Sequence, residues 1–138
     1  MIRIGYAPGA FDLFHIGHLN LLRRAKERCD YLIAGVVSDE VLIAHKGVTP
    51  VVPLAERIEI VRNCRHVDAA HAAMTDDNLE IWWDLRFNVF FKGDDWQGTE
   101  KGARLRAAIR RSRCRGRLFF IFADDIQQSA APDPAEHR

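Results

Sequence analysis

Cysteine, long apolar runs and an excess of one charge sign are all scarce in this sequence of 138 residues. The three cysteines (Cys29, Cys64 and Cys114) are an odd number without C-x-x-C spacing, which disfavours both a disulfide framework and a cysteine zinc site. No apolar run approaches the roughly 18 residues of a membrane span, and no basic segment followed by a long apolar stretch opens the chain. The sequence therefore predicts a soluble, cytoplasmic protein with reduced thiols and no membrane partner.

The charges are nearly balanced over the whole chain. Twenty Lys and Arg against nineteen Asp and Glu give a formal net charge of +1, so nothing global attracts nucleic acid or an anionic membrane. Residues 101–117 are a local exception, because they hold eight basic residues and no acidic one. A solvated helix face accounts for such a run most simply, and a phosphate-facing edge that recruits an acceptor is the alternative. A nucleic-acid site is disfavoured because interleaved aromatic residues are missing.

Short apolar runs alternate with segments of helical spacing along the chain. The runs that favour buried strands are residues 2–7, 31–37, 67–71, 89–91 and 118–122. The segments that favour helices are residues 16–29, 39–44, 54–65, 76–85 and 100–113. This alternation predicts an α/β, Rossmann-like fold with a largely parallel, five-stranded sheet and helices on both faces. We expect one domain over residues 1–129 and a disordered tail, rich in Pro, Ala and charge, over residues 130–138.

Ligands of parallel sheets bind beyond the carboxyl ends of the strands, near the point where the strand order reverses. Three segments can meet there, and these are residues 8–18, 38–46 and 92–98. Residues 45–53 are expected to form a loop in which Lys46 stands beside a glycine.

Residues 9–18 read G-A-F-D-L-F-H-I-G-H and are the most informative segment. A glycine turn leaves the first strand, and His15 and His18 lie on one side of a helix's first turn because they are three residues apart. Free N–H groups and the positive end of the helix dipole favour an anion there, and Gly17 has no side chain to block it. Imidazoles at that place can donate hydrogen bonds to phosphate and stabilise a leaving group.

The histidine pair could instead serve one of two more ordinary roles. It could supply two ligands of a metal, but no cluster of further His or Cys completes the set. Both residues could also be ordinary capping and surface histidines, which the strand and glycines around them disfavour. We therefore predict an anion site and no metal held by protein side chains.

Residues 9–18 resemble the H-x-G-H signature of the nucleotidyltransferase superfamily that includes the cytidylyltransferases. The sequence K-G-D-D-W-x-G of residues 92–98 resembles a second conserved loop, that of glycerol-3-phosphate cytidylyltransferases in particular. Shorter motifs between the two follow in the family's order, so the resemblance covers about residues 2–102. It implies transfer of a nucleotidyl group from CTP to a phosphorylated alcohol, with glycerol 3-phosphate favoured, giving a CDP-alcohol and pyrophosphate.

The resemblance also implies roles for individual residues. His15 and His18 would hold the triphosphate and stabilise the transition state, and Lys46, in a mobile loop, would reach the phosphates or the acceptor. The implied nucleotide-binding residues are Gly9, Ala10, Phe11, Asp12, Gly17, Gly93, Asp94, Asp95, Trp96 and Ser129, with Arg57 and Arg65 as weaker phosphate-binding candidates. Mg²⁺ would balance the charge of the polyphosphate. A homodimer is expected because the family is commonly dimeric.

Several of these residues have two interpretations. Asp12 either structures the turn ahead of His15, which is preferred, or helps to place metal or phosphate. One of Asp94 and Asp95 is expected to be solvated, while the other accepts a hydrogen bond from a cytosine amino group and Trp96 walls the base pocket. Trp82 and Trp83 are expected in the core or in a subunit interface.

The sequence departs from the family after residue 122. Family members carry a Thr- and Ser-rich phosphate loop there, whereas residues 123–130 read A-D-D-I-Q-Q-S-A, and only Ser129 matches. The two carboxylates would repel a triphosphate. Possible codons for residues 123–129, read one nucleotide later, permit P-T-T-S-S-S, so we hypothesise a frameshift that the gene's nucleotides would test. Two alternatives to the leading function follow: an adenylyltransferase acting on a sugar phosphate, and a catalytically impaired nucleotide-binding protein.

Overall fold

The computed structural model describes residues 2–92, residue 107 and residues 119–122. Nine elements are found in these residues: β1 (Ile4–Gly9), α1 (Ile16–Glu27), β2 (Tyr31–Val37), α2 (Asp39–Lys46), α3 (Leu54–Arg62), β3 (Ala69–Ala73), α4 (Asn78–Leu85), β4 (Val89–Lys92) and β5 (Phe119–Phe122). The strands form one sheet in the order β3-β2-β1-β4-β5, and every pairing is parallel. The predicted α/β class with a parallel sheet is confirmed.

Two apolar clusters cover the two faces of the sheet. One joins α1 and α3 to the strands, through the buried side chains Leu22, Ala25, Val61, Ala7, Leu32, Ala34 and Val36. The other joins α4 to the opposite face, through Trp82, Tyr6, Ile33, Phe87 and Phe90. Neighbouring strand residues such as Tyr6 and Ala7 belong to different clusters because side chains alternate along a strand. Helices therefore pack on both faces, as the near-continuous apolar strands predict.

The order in which strands are added to the sheet reverses at β1. The chain runs from β1 outward through β2 to β3 and then returns to β4 on the other side of β1. The crevice above the carboxyl end of β1 is therefore where a sheet of this kind binds its ligands.

Several boundaries differ from the sequence prediction by one to three residues. Strand β3 begins at Ala69 rather than residue 67, because the Asp68 carboxylate is used to anchor the strand's start, accepting from Leu32 N at 2.7 Å and from Lys26 Nζ at 2.6 Å. Helix α3 ends at Arg62 rather than residue 65. Helix α2 continues to Lys46, since Gly47 adopts the left-handed conformation (φ 63°) that closes a helix end.

Apart from residue 107, the expected helix over residues 100–113 and the basic run of residues 101–117 lie outside the described residues, as does the tail of residues 130–138. Within the part of the chain that the structure describes, no helix has the length and apolar character needed to cross a membrane.

Candidate functional site

His15 and His18 hold the start of α1 by capping each other's backbone. The Nδ1 atom of His15 accepts a hydrogen bond from Gly17 N at 3.0 Å, and Nδ1 of His18 accepts from His15 N at 3.2 Å. The two ring centroids are 4.0 Å apart. The histidine spacing therefore caps the helix and also brings two imidazoles together at the positive end of the helix dipole.

These contacts fix which ring nitrogen is free. A nitrogen that accepts a hydrogen bond carries no proton, so a neutral imidazole in this arrangement carries its proton on Nε2. In a neutral histidine of this pair, the Nε2–H group thus takes no part in the cap. The first turn of α1 contains no acidic residue, so no carboxylate of that turn competes with an anion for these donors.

Gly17 is required by the cap itself. A Cβ atom at this position would lie 2.7 Å from Cε1 and 3.0 Å from Nδ1 of His15. Any side chain would therefore displace the imidazole that accepts the Gly17 N–H. From the sequence, this glycine is expected to leave room for a phosphate. The structure gives a more direct reason, which is that a Cβ atom would collide with the capping ring of His15.

Phe11 and Phe14 pack around the half-buried His18. Its ring lies 5.7 Å from that of Phe11, edge to face, and 5.4 Å from that of Phe14. Burial lowers the pKa of His18 below its ordinary value, and the nearby His15 lowers it further. Phe11 is buried and has a φ of 51°, an unusual conformation for an aromatic residue. Burial, together with the neighbouring His15, thus favours the neutral form of His18.

Asp12 holds the segment between α2 and α3. Its two carboxylate oxygens accept hydrogen bonds from Val51 N at 2.8 Å and Val52 N at 2.9 Å. These two bonds are the main cause of its lowered pKa. The preferred interpretation, a structural one, agrees with this geometry, except that Asp12 ties two distant segments together rather than shaping the turn alone.

Arg57 is buried where four segments meet. Its guanidinium donates to Ala10 O and Val37 O at 2.7 Å and to Val52 O at 2.8 Å. It also forms an ion pair with Asp39 at the start of α2. These contacts give Arg57 a structural role at the ends of β1 and β2. A contact between Arg57 and a phosphate remains a prediction, and these contacts disfavour it because they already use the guanidinium.

Arg65 is at the other edge of the sheet. It follows α3 and precedes β3, so it lies near the amino ends of parallel strands. Strand β2 has seven residues, which at about 3.3 Å each separate the two edges by roughly 20 Å. The phosphate contact predicted for Arg65 therefore stays a prediction, and this placement within the chain disfavours it.

A cavity of about 310 Å³ opens at the carboxyl edge, between α2 and α4. Its wall includes Gly9 and Ala10 after β1, Val37 at the end of β2 and Ala73 at the end of β3. Lys46 also lines it, from the last position of α2 rather than from a mobile loop. Gly9, Ala10 and Lys46 are thus brought together at the predicted edge.

Polar residues after β3 belong to the site, although the sequence motifs do not single them out. Thr75, Asp76 and Asn78 line the cavity together with His45. The same rule that selects the segments after β1, β2 and β4 applies to the segment after β3, because β3 is parallel to them. The sequence therefore contains enough information to select residues 75–78, but its pattern predicts the strand two residues too early, at residues 67–71 instead of Ala69–Ala73.

Five predicted binding residues, namely Gly93, Asp94, Asp95, Trp96 and Ser129, lie outside the described residues. Among the residues described, no group of three or more His, Cys, Asp and Glu side chains could hold a metal ion. The carboxylate of Asp12 is directed at two backbone amides, so it does not fit as a metal ligand.

Comparison with known proteins assigns the class. The family model described as cytidylyltransferase-like matches residues 6–129. The chain therefore belongs to the cytidylyltransferase-like family, a branch of the nucleotidyltransferase superfamily.

Particular relatives are consistent with this family. Ethanolamine-phosphate cytidylyltransferase of Arabidopsis thaliana is 42% identical over 95 residues, which are 65% of this chain and 22% of that protein. The bifunctional protein HldE of Gluconacetobacter diazotrophicus is 38% identical over 97 residues, covering 70% of this chain and 20% of that protein. The chain thus spans about a fifth of the length of these relatives.

A solved structure shares the fold. The lipopolysaccharide core biosynthesis protein from Thermoplasma volcanium superposes with a TM-score of 0.73 at 22% identity, covering 88% of this chain and 97% of the other.

Proposed function

We propose that the protein transfers a cytidylyl group from CTP to a small phosphorylated alcohol, giving a CDP-alcohol and pyrophosphate. The observation that carries the proposal is the capped histidine pair, whose Nδ1 atoms are used by the cap, so that two Nε2–H groups remain as donors at a helix start without a first-turn carboxylate. A cavity at the same sheet edge offers room for the acceptor.

The reaction needs no nucleophile from the protein. A phosphate oxygen of the acceptor attacks the α-phosphorus of CTP, a new P–O bond forms, and the bond from the α-phosphorus to the bridging oxygen breaks. Pyrophosphate leaves with that bond's electron pair. Catalysis then depends on alignment and on stabilising the charge that moves to the leaving group.

In this mechanism His15 and His18 donate from Nε2 to the triphosphate, and their hydrogen bonds strengthen as the leaving group gains charge. The backbone of Gly9 and Ala10 lies against the phosphates, and Lys46 reaches them from the cavity wall. Asp94, Asp95 and Trp96 remain proposed contacts of the cytosine base, and Ser129 of the phosphates.

Mg²⁺ remains part of the proposal as an ion that balances the charge of the triphosphate. The side chains of the described residues do not form a site for it, so its ligands would be phosphate oxygens and water. No catalytic step is assigned to this ion.

The acceptor is proposed to be ethanolamine phosphate rather than the glycerol 3-phosphate favoured from sequence. Two relatives named ethanolamine-phosphate cytidylyltransferase, from Arabidopsis thaliana and Dictyostelium discoideum, support this choice at 42% and 41% identity. A homodimer is proposed as well, with the half-exposed Trp83 in its interface.

Pyrophosphate release tests the proposal. CTP and ATP should each be incubated with the protein and with ethanolamine phosphate, glycerol 3-phosphate or a sugar phosphate. We expect release with CTP and ethanolamine phosphate above all other pairs. Release only with ATP and the sugar phosphate would favour the adenylyltransferase, and retained CTP binding without release would favour the impaired nucleotide-binding protein.

A further inference from the structure

The cavity between α2 and α4 carries more polar chemistry than the transfer reaction uses. Its titratable lining residues are Tyr6, His45, Lys46 and Asp76. A volume of about 310 Å³ corresponds to roughly ten water molecules, which suits a small phosphorylated alcohol.

Asn78 is a buried residue whose side-chain amide forms no hydrogen bond within the part of the chain that the structure describes. It begins α4, is only 8% exposed and lines the cavity. No residue in the described ranges forms a hydrogen bond with its side chain. Because Asn78 lines the cavity, a ligand bound there can supply the hydrogen-bond partner that these residues do not.

Asp76 brings a negative charge to the same part of the cavity. Its Oδ2 atom lies 3.3 Å from Nε2 of His45, and both side chains are about half exposed. Its other oxygen has no hydrogen bond within residues 2–92. One carboxylate oxygen is thus available to a positively charged or hydrogen-bonding group at the cavity rim.

The polar groups are arranged along the strand order. Gly9 and Ala10 belong to the β1 side, from which the chain continues to the histidine pair, whereas Asp76 and Asn78 follow β3. Strands β1 and β3 are separated by β2, so the two sides lie about 10 Å apart. The cavity therefore has one side suited to a phosphate and another suited to a cation.

We infer that Asp76 selects the acceptor by binding its ammonium group, and that Asn78 binds the acceptor without discriminating between an ammonium and a hydroxyl group. This inference rests on the proposed function, which places the acceptor in this cavity and the triphosphate against Gly9 and Ala10, so that the attacking phosphate of the acceptor faces the β1 side. Ethanolamine phosphate carries an ammonium group two carbons away from its phosphate ester, and the Asp76 carboxylate can accept a charge-assisted hydrogen bond from it. Glycerol 3-phosphate offers hydroxyl groups instead, which the neutral Asn78 amide can bind equally well.

Two substitutions separate these contributions. Asp76→Asn removes the charge and keeps the shape, so it should weaken binding of ethanolamine phosphate by roughly 5-fold and leave glycerol 3-phosphate unchanged. Asn78→Ala should weaken both ligands by about 10-fold. Asp77→Asn is the matched control, because it changes net charge equally outside the cavity lining and an asparagine can still cap α4.

Isothermal titration calorimetry on the full chain measures these effects without turnover. We expect tighter binding of ethanolamine phosphate than of glycerol 3-phosphate, a preference that Asp76→Asn reduces and Asp77→Asn preserves. His45→Gln should keep the preference, since the carboxylate remains. Equal binding of the two ligands to the unaltered chain, or a preference that Asp76→Asn leaves intact, would overturn the inference.

Pyrophosphate release distinguishes this inference from the proposed function. A preference that depends on Asp76 without release from any substrate pair would contradict the transferase and support the cavity assignment. Release with ethanolamine phosphate that is insensitive to Asp76→Asn would support the transferase and contradict the cavity assignment.

Discussion

Each histidine of the pair uses one ring nitrogen for the backbone and leaves the other for a ligand. His15 and His18 cap α1 through Nδ1, so their proposed chemistry resides in Nε2. Replacing the whole ring therefore changes stability and catalysis together. Substitutions that keep a cap acceptor but remove the Nε2–H donor are needed to separate the two effects.

His18→Ala should lower turnover by ~10² or more, because a transition-state hydrogen bond is lost. His18→Asn should be as slow but more stable, since its side-chain oxygen can replace Nδ1 as the cap acceptor and nothing replaces Nε2. Pyrophosphate release and thermal unfolding of the two variants measure the difference. Unchanged turnover in both would remove His18 from the mechanism.

Gly17→Ala should destabilise the chain by about 1 kcal/mol, because the added Cβ displaces the capping ring of His15. In a His15→Ala background the same change should stabilise it by roughly 0.5–1 kcal/mol, since alanine favours a helix over glycine and no ring is left to collide with. Urea unfolding of the four chains checks this cycle. Additive effects would contradict the steric cause.

The lowered pKa of His18 predicts an acid sensitivity. Burial, with His15 as the second cause, holds the folded-state pKa below the ordinary value of 6.5. Above pH 6.5 both the folded and the unfolded states are neutral at this residue, so it adds no pH dependence. Below that value the unfolded state binds the proton first, and stability falls as the pH drops towards the folded-state pKa. His18→Asn should remove this part of the decline in unfolding curves measured between pH 5 and 7, and an identical decline would contradict it.

Polar contacts of two side chains, Asp12 and Arg57, hold the loops and helix ends together at the carboxyl ends of the strands. Arg57 joins the segment before α3 to the ends of β1 and β2 and to the start of α2. Asp12 joins the turn after β1 to the same segment. Together they fix where α2, and with it Lys46, stands relative to the histidine pair.

Arg57→Met should destabilise the fold by about 3–5 kcal/mol, since it leaves Asp39 and three carbonyl groups without their partner. Arg57→Lys should not rescue it, because an ammonium group cannot reproduce the planar fork. Arg62→Met is the control: its ion pair with Glu59 is exposed and contributes at most about 1 kcal/mol. Equal denaturation midpoints for the Arg57 and Arg62 variants would contradict the assigned role.

Across the whole molecule, the parallel sheet, its two apolar faces and the meeting of Gly9, Ala10 and Lys46 at the carboxyl ends of the strands were predictable from sequence. Periodicity and buried runs determine them, and β2 has the predicted limits of 31–37. Contacts between distant segments were not predictable in the same way. Arg57 is a phosphate-binding candidate in sequence and Asp12 is expected to structure its own turn, and only the fold shows that backbone groups of distant segments bind both.

Trp82 and Trp83 are adjacent in sequence and differ in environment. Trp82 is 3% exposed and donates from Nε1 to Phe87 O, whereas Trp83 is 50% exposed. Trp82→Ala should cost about 3–5 kcal/mol of stability. Trp83→Ala should cost less than about 1 kcal/mol per chain and should shift sedimentation towards the monomer if the proposed dimer uses this surface. Equal losses of stability would contradict the assignment of Trp82 to the core.

The two parts of the site lie on opposite faces of the sheet. Helix α1, which carries the histidine pair, packs on one face, and α4, which borders the cavity, packs on the other. On the proposed assignment the acceptor approaches the α-phosphorus across the end of β1 while pyrophosphate departs on the side of α1. Entering and leaving oxygens would then be in line, and the configuration at a chiral α-phosphorothioate should invert. Retention would require a second displacement, for which the proposed arrangement provides no place.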